Sequence, residues 1–350
     1  MPYANLPPKA FWKSCRETAD FRMADLHDPA FPLPAGTKVA TAGSCFAQNV
    51  RPWLEASELQ VMDVEPAPPG MTPDVARRFG YGLFSARYGN IYTARQLRLM
   101  IEDCMDDRTD ANAVWDRDGR RYDALRPGVE PEGLASVEEV LFHRRAHLRQ
   151  VRRLFRRSQV IVFTLGLTEA WVDATSGHAY PSPPGIIAGR FDPARHQFVN
   201  FGFSDVKADL KAAIDLMRVD NPDLKVILTV SPVPLTATAS GGHVLSATTY
   251  SKSVLRAVAG EIAAEDTGVD YFPAYEIIAG TPFGADRYKS NLRDVTASAV
   301  AEVMKVFFAA YGLTLPEMSG AAPAILPGQD EDDAIAICED ALLDAFAGRG

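Results

Sequence analysis

The sequence predicts an α/β fold, with a parallel sheet covered by helices on both sides. Two observations carry this. Short continuous apolar runs occur at 39–42, 160–165 and 225–230, the last two rich in Val and Ile, with a fourth near 269–275. Long stretches with helical spacing alternate with them. Strands that are apolar on both sides belong to sheets buried on both faces, and such sheets are parallel and linked by crossover helices. Ligands then bind beyond the carboxyl ends of the strands. The functional candidates are therefore the residues that follow each strand: Ser44, Gly166 to Glu169, the loop after Ser231, and whatever follows Tyr271.

The elements follow in order. Residues 1–36 are rich in Pro and aromatics and read as an ordered N-terminal arm packed on the domain. Val39 to Ala42 is the first buried strand, and a helix follows from Cys45 to Ser57. Residues 64–73 (VEPAPPGMTP) are loop, and a helix covers Ala94 to about Met105. A long helix fits Ser136 to Arg157, with Val137, Leu141, Leu148, Val151 and Phe155 near helical spacing. Val160 to Leu165 is the second strand, ending at Gly166. Asp205 to Arg218 is a helix, Lys225 to Val230 a strand, Ser246 to Ala264 a helix, and VDYFPAY the fourth strand. A helix from Thr296 to Ala310 closes the pattern, with Val300, Val303, Met304, Phe307 and Phe308 on one face. The domain spans 37–314. Residues 315–331 read as a linker and 332–350 as an acidic amphipathic helix, striped by Ile335, Cys338, Leu342 and Phe346. That helix docks on its own domain, or on a partner or a second subunit.

Composition narrows the class. A chain of 350 residues, 47% hydrophobic, suits one large domain with additions. A net charge of −9 argues against nucleic acid, which requires a basic field. Cys15, Cys45, Cys104 and Cys338 are too scattered for a zinc site or a disulfide framework. The N-terminus has no apolar signal core, and no stretch is apolar for 18 residues. The expectation is a soluble cytoplasmic protein with no membrane span. Phosphate or nucleotide binding at Gly43 to Ala47 lacks the Gly/Lys-rich loop that cradles phosphates, and no cofactor is expected.

The segment AGSCFA (42–47) carries the sharpest question. A serine directly after a buried strand and opening a helix holds its hydroxyl beyond the sheet edge. Unpaired N–H groups at the helix start can bind an oxyanion. Ser44 is thus a candidate nucleophile, and equally a helix N-cap, which Ser does well. Cys45 beside it is a second nucleophile candidate, or a buried free thiol.

Residues 43–47 spell GSCFA, the name-giving motif of the GSCFA family, which the chain resembles. ARYGNIYTARQL (86–97), FTLGLTEAW (163–171) and SPVPLTAT with SKSVLRA (231–257) resemble it too, so the likeness spans roughly residues 35–312. That family is similar to the SGNH or GDSL hydrolases. The resemblance implies a flavodoxin-like three-layer α/β/α fold and a Ser-His-Asp site acting on acyl esters, commonly of carbohydrates or lipids. Ser44 then matches the nucleophile, with Gly43 allowing the turn. Gly89, followed by Asn90, matches the glycine whose N–H holds the oxyanion. Gly166 to Glu169 occupies the block that supplies an Asn amide, with Thr168 in its place. A hydroxyl donates one hydrogen bond, and Asn90 offers an amide. The plain readings are a turn at Gly89–Asn90 and a helix cap at Thr168.

The last block departs from the family pattern. Where an Asp-x-x-His is expected, Asn291 falls on the Asp and Asp294 on the His. Asp is a poor base at neutral pH. Among six histidines, His143 and His147 stand at i, i+4, a spacing that can hold a metal, but no third ligand is evident and no metal is expected. The seven arginines of that stretch read as a solvated helix face, or a patch for an anionic partner. His243 lies in the loop after the third strand, with Gly241 and Gly242 to let it fold over. It reads either as an exposed loop residue or as the replacement base, with Asp294 as its carboxylate. Glu169 is a candidate for orienting a polar network; Lys252 or Arg256 for holding an acidic substrate.

The expected function is a serine-dependent acyl-ester hydrolase or acyltransferase on a carbohydrate or other acylated small molecule. Ser44 attacks, His243 oriented by Asp294 takes the proton, and the Ser44 and Gly89 N–H groups with Asn90 or Thr168 hold the oxyanion. The alternative is a catalytically silent carbohydrate-binding or scaffold protein on the same fold.

Overall fold

The computed structural model describes residues 1–15, 23–284 and 286–318. Its elements begin with β1 (Lys38–Gly43), α1 (Phe46–Glu55), β2 (Gln60–Val61), α2 (Pro73–Arg78) and α3 (Ala94–Asp106). A hairpin of β3 (Val114–Arg117) and β4 (Arg120–Asp123) precedes α4 (Val137–Arg157) and β5 (Val160–Leu165). Next come β6 (Glu169–Asp173), β7 (Ala179–Tyr180), β8 (His196–Asn200), α5 (Phe203–Asp220) and β9 (Lys225–Val230). The described elements end with α6 (Val244–Glu265), β10 (Val269–Tyr271), α7 (Ala274–Ala279) and α8 (Ala297–Ala310).

All four predicted apolar runs contain strands of one parallel sheet, ordered β10-β9-β5-β1-β2. Numbered along the chain, those five strands run 2-1-3-4-5, the flavodoxin-like order. β1 pairs with β5 from Val39↔Val160 to Gly43↔Thr164. The sheet is apolar on both faces. Ala40, Ala42, Ile161, Phe163 and Leu228 join residues of α3, α4, α5 and α6 in one core. Val39, Val160, Val162 and Ile227 join residues of α1, α7 and α8 in the other. The result is a three-layer α/β/α sandwich, and it explains why the strand sequences lack a polar alternation.

Helix starts follow side-chain chemistry. The expected starts at Ser136 and Thr296 are caps: their hydroxyls accept from Glu139 N–H and Ala299 N–H. α5 and α6 each begin two residues before their expected starts. The fourth strand stops at Tyr271, and Pro273 caps α7 instead of extending the sheet.

Two groups of strands lie outside the sequence reading. β7, β6 and β8 form a small antiparallel sheet, and β3 with β4 a hairpin. Trp115, Tyr122 and Tyr180 pack between them. None exceeds five residues, too short for a two-residue period to stand out from loop. In the N-terminal arm, Phe31 and Leu33 are buried with α1 and α8, and His27 Nε2 lies 3.0 Å from Asp270 Oδ2. The expected C-terminal helix, and the expected linker beyond residue 318, lie outside the described residues. Among the described residues no helix is long and apolar enough to cross a membrane.

The arginine-rich α4 is not wholly a solvated face. Arg144 is buried, donates to Asp103 Oδ2 (3.2 Å) and pairs with Asp123 (3.6 Å). His147, expected beside His143 at a metal spacing, is also buried, with Nδ1 2.7 Å from Glu65 Oε2. A carboxylate only accepts, so Nδ1 carries the proton. Glu65 also accepts the Arg87 N–H at 2.7 Å. Burial pushes the His147 imidazole down to about 4, with the nearby Arg126 charge acting in the same direction.

A base whose folded value lies below its unfolded one loses stability as pH falls through the unfolded value toward the folded one. For His147 that window runs from 6.5 down to about 4. The shift corresponds to on the order of 3 kcal/mol. His147→Gln, which keeps an N–H for Glu65, should flatten the pH dependence of the urea midpoint across that window. An unchanged slope would exclude His147 as its source.

Candidate functional site

β1 and β5 lie side by side, but the chain leaves them differently. After β1 it enters α1, on one face of the sheet. After β5 it enters the small antiparallel sheet. A crevice opens at the carboxyl ends of such strands, where the strand order reverses. Ser44 stands there.

Two glycines set its position. Gly43 has φ +130°, and a Cβ there would lie 2.4 Å from Thr164 O. The Ser44 N–H donates to that same oxygen (3.0 Å), so Ser44 extends the β1–β5 ladder by one rung. Gly166 forms the opposite wall. A Cβ on it would lie 2.9 Å from Ser44 Cβ and 3.1 Å from Tyr92 O.

The third wall is the segment 90–92. Ile91 N–H donates to Gly43 O (2.9 Å), while Tyr92 O accepts from the N–H of Gly166 (3.0 Å) and of Leu167 (2.9 Å). Asn90 is buried. Its Oδ1 accepts from Gln48 Nε2 (3.1 Å) on α1, and its carbonyl accepts from Gln96 Nε2 (3.0 Å). Gln96 Oε1 accepts the Tyr92 N–H at 3.0 Å. Gly89, half-buried with φ +69°, makes the turn into this segment.

The fourth wall comes from α6. Ser251 Oγ accepts the Thr168 N–H (3.0 Å), and Lys252 Nζ donates to Gly166 O (2.7 Å). Lys252 is only 1% exposed. The Thr168 hydroxyl donates to Asn200 Oδ1 (2.7 Å). Thr168 therefore leads into β6 and caps no helix, and its one hydroxyl proton is engaged. The Glu169 carboxylate accepts from the Thr238 hydroxyl at 2.7 and 3.0 Å, tying down the loop after β9.

Ser44 is 2% exposed, and its Oγ has no hydrogen-bond partner among the described residues. The N-cap position of α1 belongs to Cys45, and no side chain caps that helix end. The cap reading of Ser44 is thereby overturned. A buried hydroxyl left unbonded costs about 1–3 kcal/mol. The hydroxyls of Thr41, Thr164, Ser182 and Thr229 are in the same state, so the position of Ser44 at the end of β1 is what marks it as a candidate. The Ser44 N–H, expected at the oxyanion, is already bonded to Thr164 O.

The structure brings Ser44, Gly43, Asn90, Gly166, Thr168 and Glu169 into this one region. It does not bring His243 or Asp294 within hydrogen-bond reach of Ser44 Oγ. His243 is exposed at the start of α6, and its Nδ1 accepts the Leu245 N–H (3.1 Å). Ser251 lies eight residues further along, about 12 Å at the rise of an α-helix. Asp294 pairs with Lys289 at 4.0 Å. Other imidazoles are engaged elsewhere: His178 Nε2 lies 3.1 Å from Asp103 Oδ2, and His196 Nδ1 accepts the Asp192 N–H (3.0 Å).

Sequence reasoning missed Gln48, Gln96, Asn200 and Ser251. One signal was available for α6: Lys252 precedes Leu255, Ala259 and Ile262 on one helical stripe, and all four are buried. A cavity of about 300 Å³ opens elsewhere, lined by Asp103, Arg108, Asp123, Arg144 and His178. A smaller pocket shares Arg144 and His178 and reaches Ile91 and Gln96, which adjoin the crevice.

The family model described as the GSCFA family matches residues 38–307. No curated protein and no solved structure matches the chain.

The crevice depends on the close approach at Gly43. Gly43→Ala should destabilise the fold by at least about 2 kcal/mol, the result of a strained φ together with a backbone clash. Urea unfolding reads this directly, and a wild-type midpoint would contradict the geometry.

Proposed function

The chain belongs to the GSCFA family, and on that premise we propose that it is a serine-dependent acyl-ester hydrolase or acyltransferase, acting on an acylated carbohydrate. One observation carries the reading: Ser44 Oγ is held unbonded at the switch-point crevice of a flavodoxin-like sheet. Ser44 Oγ attacks the acyl carbonyl and the ester alcohol leaves. Water or a second alcohol then takes the acyl group. The Asn90 amide and the Gly89 N–H stand on the wall assigned to the oxyanion. The crevice walls present amides, hydroxyls, a carboxylate and a lysine amine, a donor and acceptor set suited to a hydroxyl-rich ligand. Glu169 and its loop border the region a sugar would occupy.

A second reading has its own observation. His243 and Asp294, assigned as base and orienting carboxylate, do not stand beside Ser44. A base must reach the proton directly or through one water. Without one, the fold serves as a carbohydrate-binding or scaffold protein, since a fold alone does not guarantee chemistry.

Labelling with a fluorophosphonate separates the two. On the enzyme reading, mass spectrometry finds the adduct on Ser44, and Ser44→Ala lowers short-chain aryl ester hydrolysis by roughly 10³-fold or more. An unlabelled Ser44 together with an unchanged rate in Ser44→Ala selects the binding protein.

A further inference from the structure

We propose that Lys252 is the general base for Ser44, making the crevice a serine–lysine site. This rests on the reading of Ser44 as nucleophile. Three observations on independent elements converge on it.

The first is position. Lys252 Nζ lies 2.7 Å from Gly166 O, and the Cα of the same glycine is packed against Ser44 Cβ. Gly166 has no side chain, so its backbone alone links the lysine to the wall beside Ser44. Its neighbour Ser251 accepts the Thr168 N–H at 3.0 Å and fixes this turn of α6 to the 166–168 segment.

The second is environment. Lys252 occupies the buried stripe of α6 with Leu255, Ala259 and Ile262. A lysine placed there for solubility would point outward; this one is aimed at the sheet edge. Removal from water favours the neutral amine of a lysine, which is why buried lysines act as bases.

The third is the lack of a competitor. Neither an imidazole nor the Lys252 amine hydrogen-bonds Ser44 Oγ among the described residues, but Lys252 is bonded to Gly166, the residue packed against Ser44. His27, His147, His178, His196 and His243 each have partners elsewhere. Arg256, one turn beyond Lys252, pairs with Glu276.

The lone pair of the neutral Lys252 amine takes the Ser44 hydroxyl proton as Oγ bonds to the acyl carbon, and the carbonyl π pair moves onto oxygen. An N–H of the same amine stays on Gly166 O. When the intermediate collapses, the ester C–O bond breaks and the Lys252 ammonium returns the proton to the departing alkoxide. The amine is neutral again for the water that releases the acyl group.

The test is hydrolysis of p-nitrophenyl acetate by the full chain. Lys252→Arg keeps a cation and an N–H for Gly166 O but cannot be deprotonated. It should lower kcat by about 100-fold or more, with KM little changed. Lys252→Ala should lose as much and regain at least about tenfold with added methylamine, a rescue that a merely structural lysine would not show. If Lys252→Ala does not fold, Lys252→Met fills the stem and takes its place beside the arginine variant. A wild-type rate in Lys252→Arg, with Ser44→Ala inactive, overturns Lys252 and leaves the Ser44 reading standing. The same result with His243→Ala also inactive assigns the base to His243. An active Ser44→Ala overturns the underlying reading itself.

Discussion

Gly43 and Thr164 are too close to leave room for a side chain. That single approach organises the molecule around it. Because Gly43 is at φ +130°, the chain can turn at the end of β1, and the Ser44 N–H still completes a rung with Thr164 O. Gly166 makes the matching approach from the other strand. The two glycines hold a hydroxyl in a slot between strands whose chains depart to different parts of the fold. Any larger residue at either position would fill the slot it creates.

The walls of that slot show how polar groups are kept inside an α/β sandwich. Gln48 donates to the Asn90 side chain, and Gln96 bonds the backbone of Asn90 and Tyr92. Ser251 and Lys252 satisfy the backbone of the facing loop. Arg144, Asp103, Asp123 and Arg126 form buried ion pairs between α3, α4 and the segment between them. Such pairs add little net stability, since desolvation offsets much of their attraction, yet losing one partner strands the other. They fix one arrangement of the helices on which the third wall of the crevice depends. The Ser44 hydroxyl shares its unbonded state with those of Thr41, Thr164, Ser182 and Thr229. What sets it apart is its place directly after β1, where ligands bind in such sheets.

The chemistry then turns on the proton. Ser44, the proposed nucleophile, stands at the end of the first strand, where ligands bind in a flavodoxin-like sheet. The proton acceptor has to come from an element that folds back over the same edge. α6 does so, and in the proposed mechanism it offers Lys252, two turns into the helix and bonded to Gly166, rather than His243 at its exposed start. A helix packed across a sheet edge aims its interior turns at the edge, while its first residue meets solvent and caps its own backbone.

The strands, their alternation with helices and the place of Ser44 were legible in the sequence. A strand buried on both faces must be apolar throughout, and residues such as Val160 to Leu165 carry that requirement locally. Gly43 and Gly166 were legible for the same reason, as breaks directly after such runs. The short strands from Val114 to Asn200 were not, because their stability comes from packing Trp115, Tyr122 and Tyr180 together across distant segments. What surrounds Ser44 was least legible of all. His243 and Lys252 are nine residues apart in one segment, and in the sequence either could face the serine. Only the tertiary structure decided which turn of α6 meets Gly166, because that depends on the rotation and depth of a packed helix, and neither is written in any local pattern.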